Sequence, residues 1–176
     1  MQTYCAFLRG VNVNGRTMKM ADVCGGFLKA GMAGVASVLA TGNIIFGSAL
    51  AQSKLRNTLE QALTKHYGSP VSLFIKTADE VKGILTNVPF KADQKLHIYV
   101  FICETDFEKT LMKEFRSIKP AKNEDAKINS GTFYWQCEKG ATLDSGFSKI
   151  LGRKDMKDKF TSRNINTIEK IVAKIH

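Results

Sequence analysis

Val35-Ala36-Ser37-Val38-Leu39-Ala40-Thr41-Gly42-Asn43-Ile44-Ile45-Phe46 is the stretch on which the fold turns. Val35–Ala40 and Ile44–Phe46 read as two β-runs, and Thr41-Gly42-Asn43 between them is a tight-turn signal, so the segment is a hairpin. A helix precedes it: Met20–Lys29 places Val23, Phe27 and Leu28 on one face, carries Asp22 in its first turn and stops at Gly31. Another follows, Ser53–Tyr67, with Leu55, Leu59, Ala62 and Leu63 on one stripe and Gly68-Ser69-Pro70 as its breaker. Outside these lie two more β-runs, Thr3–Arg9 and Val71–Lys76. A hairpin flanked by helix and strand on both sides is the order β-α-β-β-α-β, the ferredoxin-like plan of two helices on one face of a four-stranded antiparallel sheet.

The second half opens in the same way. A short helix at Ala78–Thr86 and the segment Asn87-Val88-Pro89-Phe90 close the first half. Leu96–Cys103 is then a strand, Phe107–Arg116 a helix, and Ala126–Asn129 with Phe133–Cys137 a hairpin across Ser130-Gly131. The tail reads as helical, at Phe147–Leu151 and Asn164–Ile175. The expectation is an α+β protein of two lobes, 1–90 and 91–176, with antiparallel sheets packed against helices; a single mixed sheet is the alternative.

Three stretches resemble the signature of the domain-of-unknown-function 1697 family. They are Tyr4-Cys5-Ala6-Phe7-Leu8-Arg9-Gly10-Val11-Asn12-Val13 running on to Lys19-Met20-Ala21-Asp22, then Ala40–Phe46, then Ser148-Lys149 with Thr161–Thr167. Asn14 stands where the family usually has glycine, and Thr41, where serine is frequent, keeps the hydroxyl. The resemblance implies two ferredoxin-like lobes. It implies no activity, because the family has none established.

Composition narrows the function classes. The 176 residues are 44% hydrophobic and 24% charged, ordinary for a globular chain, and no apolar run approaches a membrane span. The start, Met1-Gln2-Thr3-Tyr4, lacks the basic and apolar regions of a signal peptide, so a cytoplasmic protein is expected. Cys5, Cys24, Cys103 and Cys137 are widely spaced, and His66, His97 and His176 have no ligand-spaced neighbours, so neither a metal nor a disulfide framework is expected. Nucleotide-binding and hydrolase motifs are missing, and no cofactor is called for. Cys137 has no evident histidine partner that would make it a nucleophile.

Charge is the outlier. Twenty-six basic residues face 16 acidic ones, a net +10 that points to an anionic partner or to a merely soluble basic surface. The excess is spread evenly, 9 basic against 4 acidic over residues 1–90 and 17 against 12 over 91–176. It is densest from Lys149 to Arg163, where Lys149, Arg153, Lys154, Lys157, Lys159 and Arg163 face Asp155 and Asp158.

The βαββαβ plan also makes a geometric prediction. The first strand delivers Arg9-Gly10 to the end of the sheet where the first helix begins and the hairpin turns, so Arg9, Asn12, Lys19, Thr41 and Asn43 should share one rim. Such a rim suits an anion, because a helix start offers N–H groups and positive dipole while arginine offers a fork. The competing reading makes Gly10, Asn12 and Asn43 turn residues only. A second candidate, Thr161-Ser162-Arg163-Asn164, precedes the last helix, with Asn164 as its N-cap and Arg163, near Lys149, binding an anion or pairing with an acidic residue.

The leading expectation is therefore a pocket for a small phosphorylated or anionic ligand at this rim. Lys149, Thr161, Arg163 and Asn164 would complete it. The alternative is non-specific nucleic-acid binding through the basic stretch, dependent on Lys154, Lys157 and Lys159. Its strands lack the aromatic motifs of RNA-binding sheets of this fold. A scaffold without ligand is the third reading.

Overall fold

The computed structural model describes residues 1–13, 16–156 and 158–175, with the side chains of residues 12, 13 and 16 outside the description. Asn14, Lys157 and the side chain of Asn12 thus lie outside the described residues. Contacts divide the chain into two units: Met1–Lys82 with the residues from Glu169 onward, and Gly83–Ile168. The sequence placed the boundary near residue 90; the contacts place it within a helix.

In the first unit β1 (Gln2–Leu8) is followed by the two-residue strands β2 (Asn12–Val13) and β3 (Arg16–Thr17). Then come α1 (Met20–Lys29), β4 (Ala33–Val38), β5 (Asn43–Ser48), α2 (Gln52–Tyr67) and β6 (Leu73–Thr77), and α3 (Ala78–Thr86) crosses the division. The sheet has the order β4-β5-β1-β6, every pair antiparallel. Alternation along β1 sends Tyr4, Ala6 and Leu8 to the helix-covered face, where they meet Ile44, Phe46, Leu73, Phe27 and Leu59. Tyr4 stacks on Phe46 at 5.7 Å, and Phe27 meets the same ring edge-on at 5.2 Å. Truncating a ring so enclosed costs about 3–5 kcal/mol. Cys5 and Phe7, on the other face, are equally buried. α2 ends at Gly68, whose φ of 65° is the left-handed stop that closes a helix.

The second unit repeats the plan in full. β7 (Leu96–Cys103), α4 (Phe107–Arg116), β8 (Asp125–Asn129), β9 (Thr132–Glu138), α5 (Gly146–Leu151) and β10 (Phe160–Asn164) build a sheet ordered β10-β7-β9-β8, again antiparallel throughout. α6 (Ile165–Val172) follows and crosses the division. The core gathers Phe101, Phe133, Trp135, Phe147 and Phe160 with Leu111 and Phe115 of α4. Both lobes are ferredoxin-like, as the element order led us to expect of the first and the family resemblance implied for the second.

One element corrects the sequence reading. Only helices were expected in the tail, at Phe147–Leu151 and Asn164–Ile175, yet Phe160–Asn164 is a strand whose five residues pair with Cys103 through Tyr99. β7 supplies a row of N–H and C=O groups there, and pairing them outweighs the indifferent strand preference of Thr-Ser-Arg-Asn.

Candidate functional site

β1 ends in a set of backbone bonds that fix the rim of the first unit. The Leu8 amide donates to Gly42 O at 2.7 Å and the Arg9 amide to Ser72 O at 2.9 Å, so the end of β1 is held between the hairpin and the approach to β6. The register, Phe7 opposite Asn43, places the β4–β5 turn at the same end. Val11 then folds onto that turn. Gly42 has φ +79°, and a β-carbon there would lie 2.5 Å from Val11 Cγ2 and 2.9 Å from Leu8 Cβ, so only glycine fits. The Met18 amide donates to Val11 O at 3.1 Å, which brings the start of α1 to the same place. Arg9, Lys19, Thr41 and Asn43 are thus gathered at one end of one sheet, together with the backbone of Asn12.

Their side chains divide the work. Asn43 is fully buried, and its amide donates to Val38 O and Thr41 Oγ1, both at 2.9 Å. It clasps the hairpin from within, supporting the turn and positioning the exposed Thr41 hydroxyl. Arg9 is half-buried and Lys19 exposed. Lys19 is also the residue from which α1 starts. The Lys19 side chain makes no capping bond to that start, and Lys19 O takes the amides of Asp22 and Val23 at 3.0 and 3.1 Å. Asp22 places one carboxylate in the same first turn.

The second-unit candidates are arranged differently. Thr161 is buried on β10, and Arg163 Nη1 donates to Thr161 Oγ1 and to Ser162 O, both at 2.8 Å. Asn164 starts α6 as its N-cap, its Oδ1 accepting the Asn166 amide at 3.0 Å, and its Nδ2 lies 3.0 Å from His97 Nδ1. Strand alternation puts Phe160 in the core beneath α5 and therefore turns Thr161 and Arg163 to the opposite face. Lys149 is exposed on α5. The sheet separates Lys149 from Arg163, so these two cations do not share a face.

Much of the remaining basic stretch is matched locally. Arg153 meets Glu114 at 2.8 Å and Asp155 at 2.5 Å, and Lys159 meets Glu104 at 2.9 Å. The bonded Arg153 guanidinium holds the Asp155 carboxyl below its ordinary value. Lys154 is exposed.

Burial pushes the Cys137 thiol up, with Thr142 pulling weakly the other way, which disfavours the thiolate a nucleophile needs. No group of three metal-ligating side chains occurs among the described residues, and no helix among them is long and apolar enough to cross a membrane. Sequence reading passed over one feature, the basic face of α4 at Lys109, Lys113 and Arg116. The signal was their spacing of four and three residues around Met112.

Comparison with known proteins supplies a family and a fold. Residues 1–134 match the family model described as a protein of unknown function, DUF1697. That match ends before the third of the resembling stretches. Among solved structures, the chain is similar to the conserved bacterial protein SP0830 from Streptococcus pneumoniae. The TM-score is 0.81 and the identity 21%, covering 99% of this chain and 98% of that one. A likeness at this identity speaks for the fold alone. No curated protein matches.

Proposed function

The chain belongs to the DUF1697 family, proteins of unknown function, and from that premise we propose that it binds a small phosphorylated or otherwise anionic ligand at the rim of its first lobe. The observation that carries the reading is that α1 starts beside the β4–β5 turn at an N-cap position, Lys19, whose side chain makes no capping bond, with Arg9 at the same end. A helix start offers N–H groups and the positive end of its dipole, which favour negative charge. Arg9 would grip two oxygens of a phosphate or carboxylate, and Lys19 would act as a point charge. Thr41, set by Asn43, would orient the ligand together with Asn12 of β2.

Asp22 weakens the field at this rim. Its carboxylate works against any anion at this helix start in proportion to the anion's charge, so the attraction must come from Arg9, Lys19 and the helix N–H groups. In the second lobe the same reading gives Arg163, braced by Thr161 beside Asn164, one ligand role and Lys149 a separate one.

A thermal-shift series at two salt concentrations tests the proposal, setting phosphorylated metabolites and nucleotides beside short RNA and DNA oligomers. A small anion at one hundred times its dissociation constant adds about 2.7 kcal/mol to the folded state, which is readily seen. Arg9→Ala and Lys19→Ala should each reduce that rise, while Arg163→Ala and Lys149→Ala report separately on the second lobe. A rise untouched by the two rim substitutions refutes the rim. A rise only with oligomers, vanishing at high salt, moves the reading to nucleic acid.

A further inference from the structure

The second lobe carries an open groove of about 480 Å³ beside α4, lined by Lys109, Met112, Lys113, Arg116, Ser117 and Ile128. The four helical side chains from Lys109 to Arg116 fall three and four residues apart, so they share one face, while Leu111 and Phe115 fill the core on the other. Met112 is half-buried and Ile128 is 38% exposed, together giving the groove an aliphatic floor. Lys109 is tied to Asp106 at 2.5 Å. Lys113 and Arg116 meet no carboxylate among the described residues.

The far wall is a sheet edge. β8 is the last strand of its sheet and pairs with β9 alone. Its hairpin turns through Ser130 and Gly131, with φ of 48° and 71°, a two-residue turn whose flanking pair, Asn129 and Thr132, exchanges both backbone bonds. Bonded and non-bonded pairs alternate from there, so Ala126 and Ile128 direct their N–H and C=O groups outward. The Ala126 amide agrees, for it donates at 2.8 Å to the Asp125 carboxylate of its own strand. Ile128 thus offers an outward amide and carbonyl while its side chain stands in the groove.

We propose that this groove docks an extended acidic segment of a partner protein, which adds as a further strand to the edge of β8. Main-chain bonds to Ile128 and to the Ala126 carbonyl would hold the guest, and alternate side chains would reach the groove, the mode by which open sheet edges take peptides. Its apolar positions would cover Met112 and Ile128, and its carboxylates would meet Lys113 and Arg116. The acidic character follows from two unmatched cations on a chain with 26 basic residues against 16 acidic. A second copy of this chain is disfavoured, since pairing two β8 edges would bring two such cationic faces together. Nucleic acid is disfavoured too, because the floor is aliphatic and offers no ring on which a base can stack.

Fluorescence anisotropy with the full chain tests this, using a labelled, end-capped octapeptide Thr-Glu-Thr-Val-Thr-Glu-Thr-Val, in which threonine at every other position leaves glutamate and valine together on one strand face. The K113A/R116A variant, altered only at exposed positions, should weaken binding about fivefold at low salt. The same peptide N-methylated at alternate amides keeps its charge but loses its strand bonds, and should bind about tenfold more weakly still. No saturable binding, indifference to N-methylation, an oligonucleotide that binds as well, or dimerisation through β8 in sedimentation would each overturn the proposal.

Discussion

Replacing Gly42 with alanine attacks the contact that builds the rim. The residue sits at φ +79°, where an L side chain costs about 1–2 kcal/mol. The new methyl would lie 2.5 Å from Val11 Cγ2 and 2.9 Å from Leu8 Cβ. Val11 can rotate away, but Leu8 Cβ is fixed by a strand paired on both sides. Overpacking of this kind adds about 1–3 kcal/mol. The loss is therefore about 2–5 kcal/mol, and at about 2–4 °C per kcal/mol for a chain of this length a mid-range loss of about 3.5 kcal/mol lowers Tm by about 7–14 °C. Gly68→Ala is the internal control, with φ +65° and nothing within 4 Å of the added carbon, so it carries the backbone cost alone. Urea melts of the two variants and of V11A/G42A separate the effects. The double variant should recover the part of the loss due to Val11 and leave the part due to Leu8. If Gly42→Ala costs no more than Gly68→Ala, the loop does not press on the turn and the argument for a gathered rim fails.

Asn43→Ala should cost about 1–3 kcal/mol in a thermal or urea melt, because it leaves the buried Val38 carbonyl without the donor it has now. Removing a solvated ligand-binding asparagine would cost far less. Tyr134 makes the lobe alkali-sensitive. Burial pushes its hydroxyl up to about 12, with Thr132 pulling weakly the other way. The unfolded chain ionises near 10, so stability falls as pH rises from about 10 toward 12. Tyr134→Phe should be less stable at neutral pH, losing the 2.8 Å bond to Ile84 O, yet should show a flatter stability curve above pH 10. An unchanged slope would refute the assignment.

The helices and hairpins were legible because their apolar residues repeat at helical or strand period: Leu55, Leu59 and Leu63 down α2, or Phe133, Trp135 and Cys137 along β9. β10 was not. Thr161-Ser162-Arg163-Asn164 has no apolar alternation, and its place depends on the edge of β7, which lies some sixty residues upstream. The topology could have supplied it, since a strand, a helix, a hairpin and a helix call for one more strand. The rim was readable for the same reason, as connection order alone puts Arg9, Lys19 and Thr41 at one end. The inward turn of Asn43 was not readable, because a hairpin asparagine can face either way. Nor was the separation of Lys149 from Arg163, which rests on the side-chain parity of a strand the sequence did not announce. The basic face of α4 was passed over because its cations gain a context only from the edge strand β8, which the spacing of residues within α4 cannot show.

The place of β1 in the middle of its sheet has a consequence for synthesis. Leu8 is made early, but its partners Gly42 and Leu73 and the last pair of the strand, Tyr4 with Thr77, come later. At about 5–20 residues per second, a ribosome needs roughly 4–14 seconds to span that interval. Until the β4–β5 hairpin is made, Tyr4-Cys5-Ala6-Phe7-Leu8 is an apolar ribbon with no sheet to join, and its other edge stays unpaired until Thr77. β7 repeats the wait, since Cys103 is paired only when Phe160 arrives. Each lobe thus makes a central strand first and leaves it waiting for partners on the nascent chain, which makes these two segments the natural stations for chaperones that attend translation.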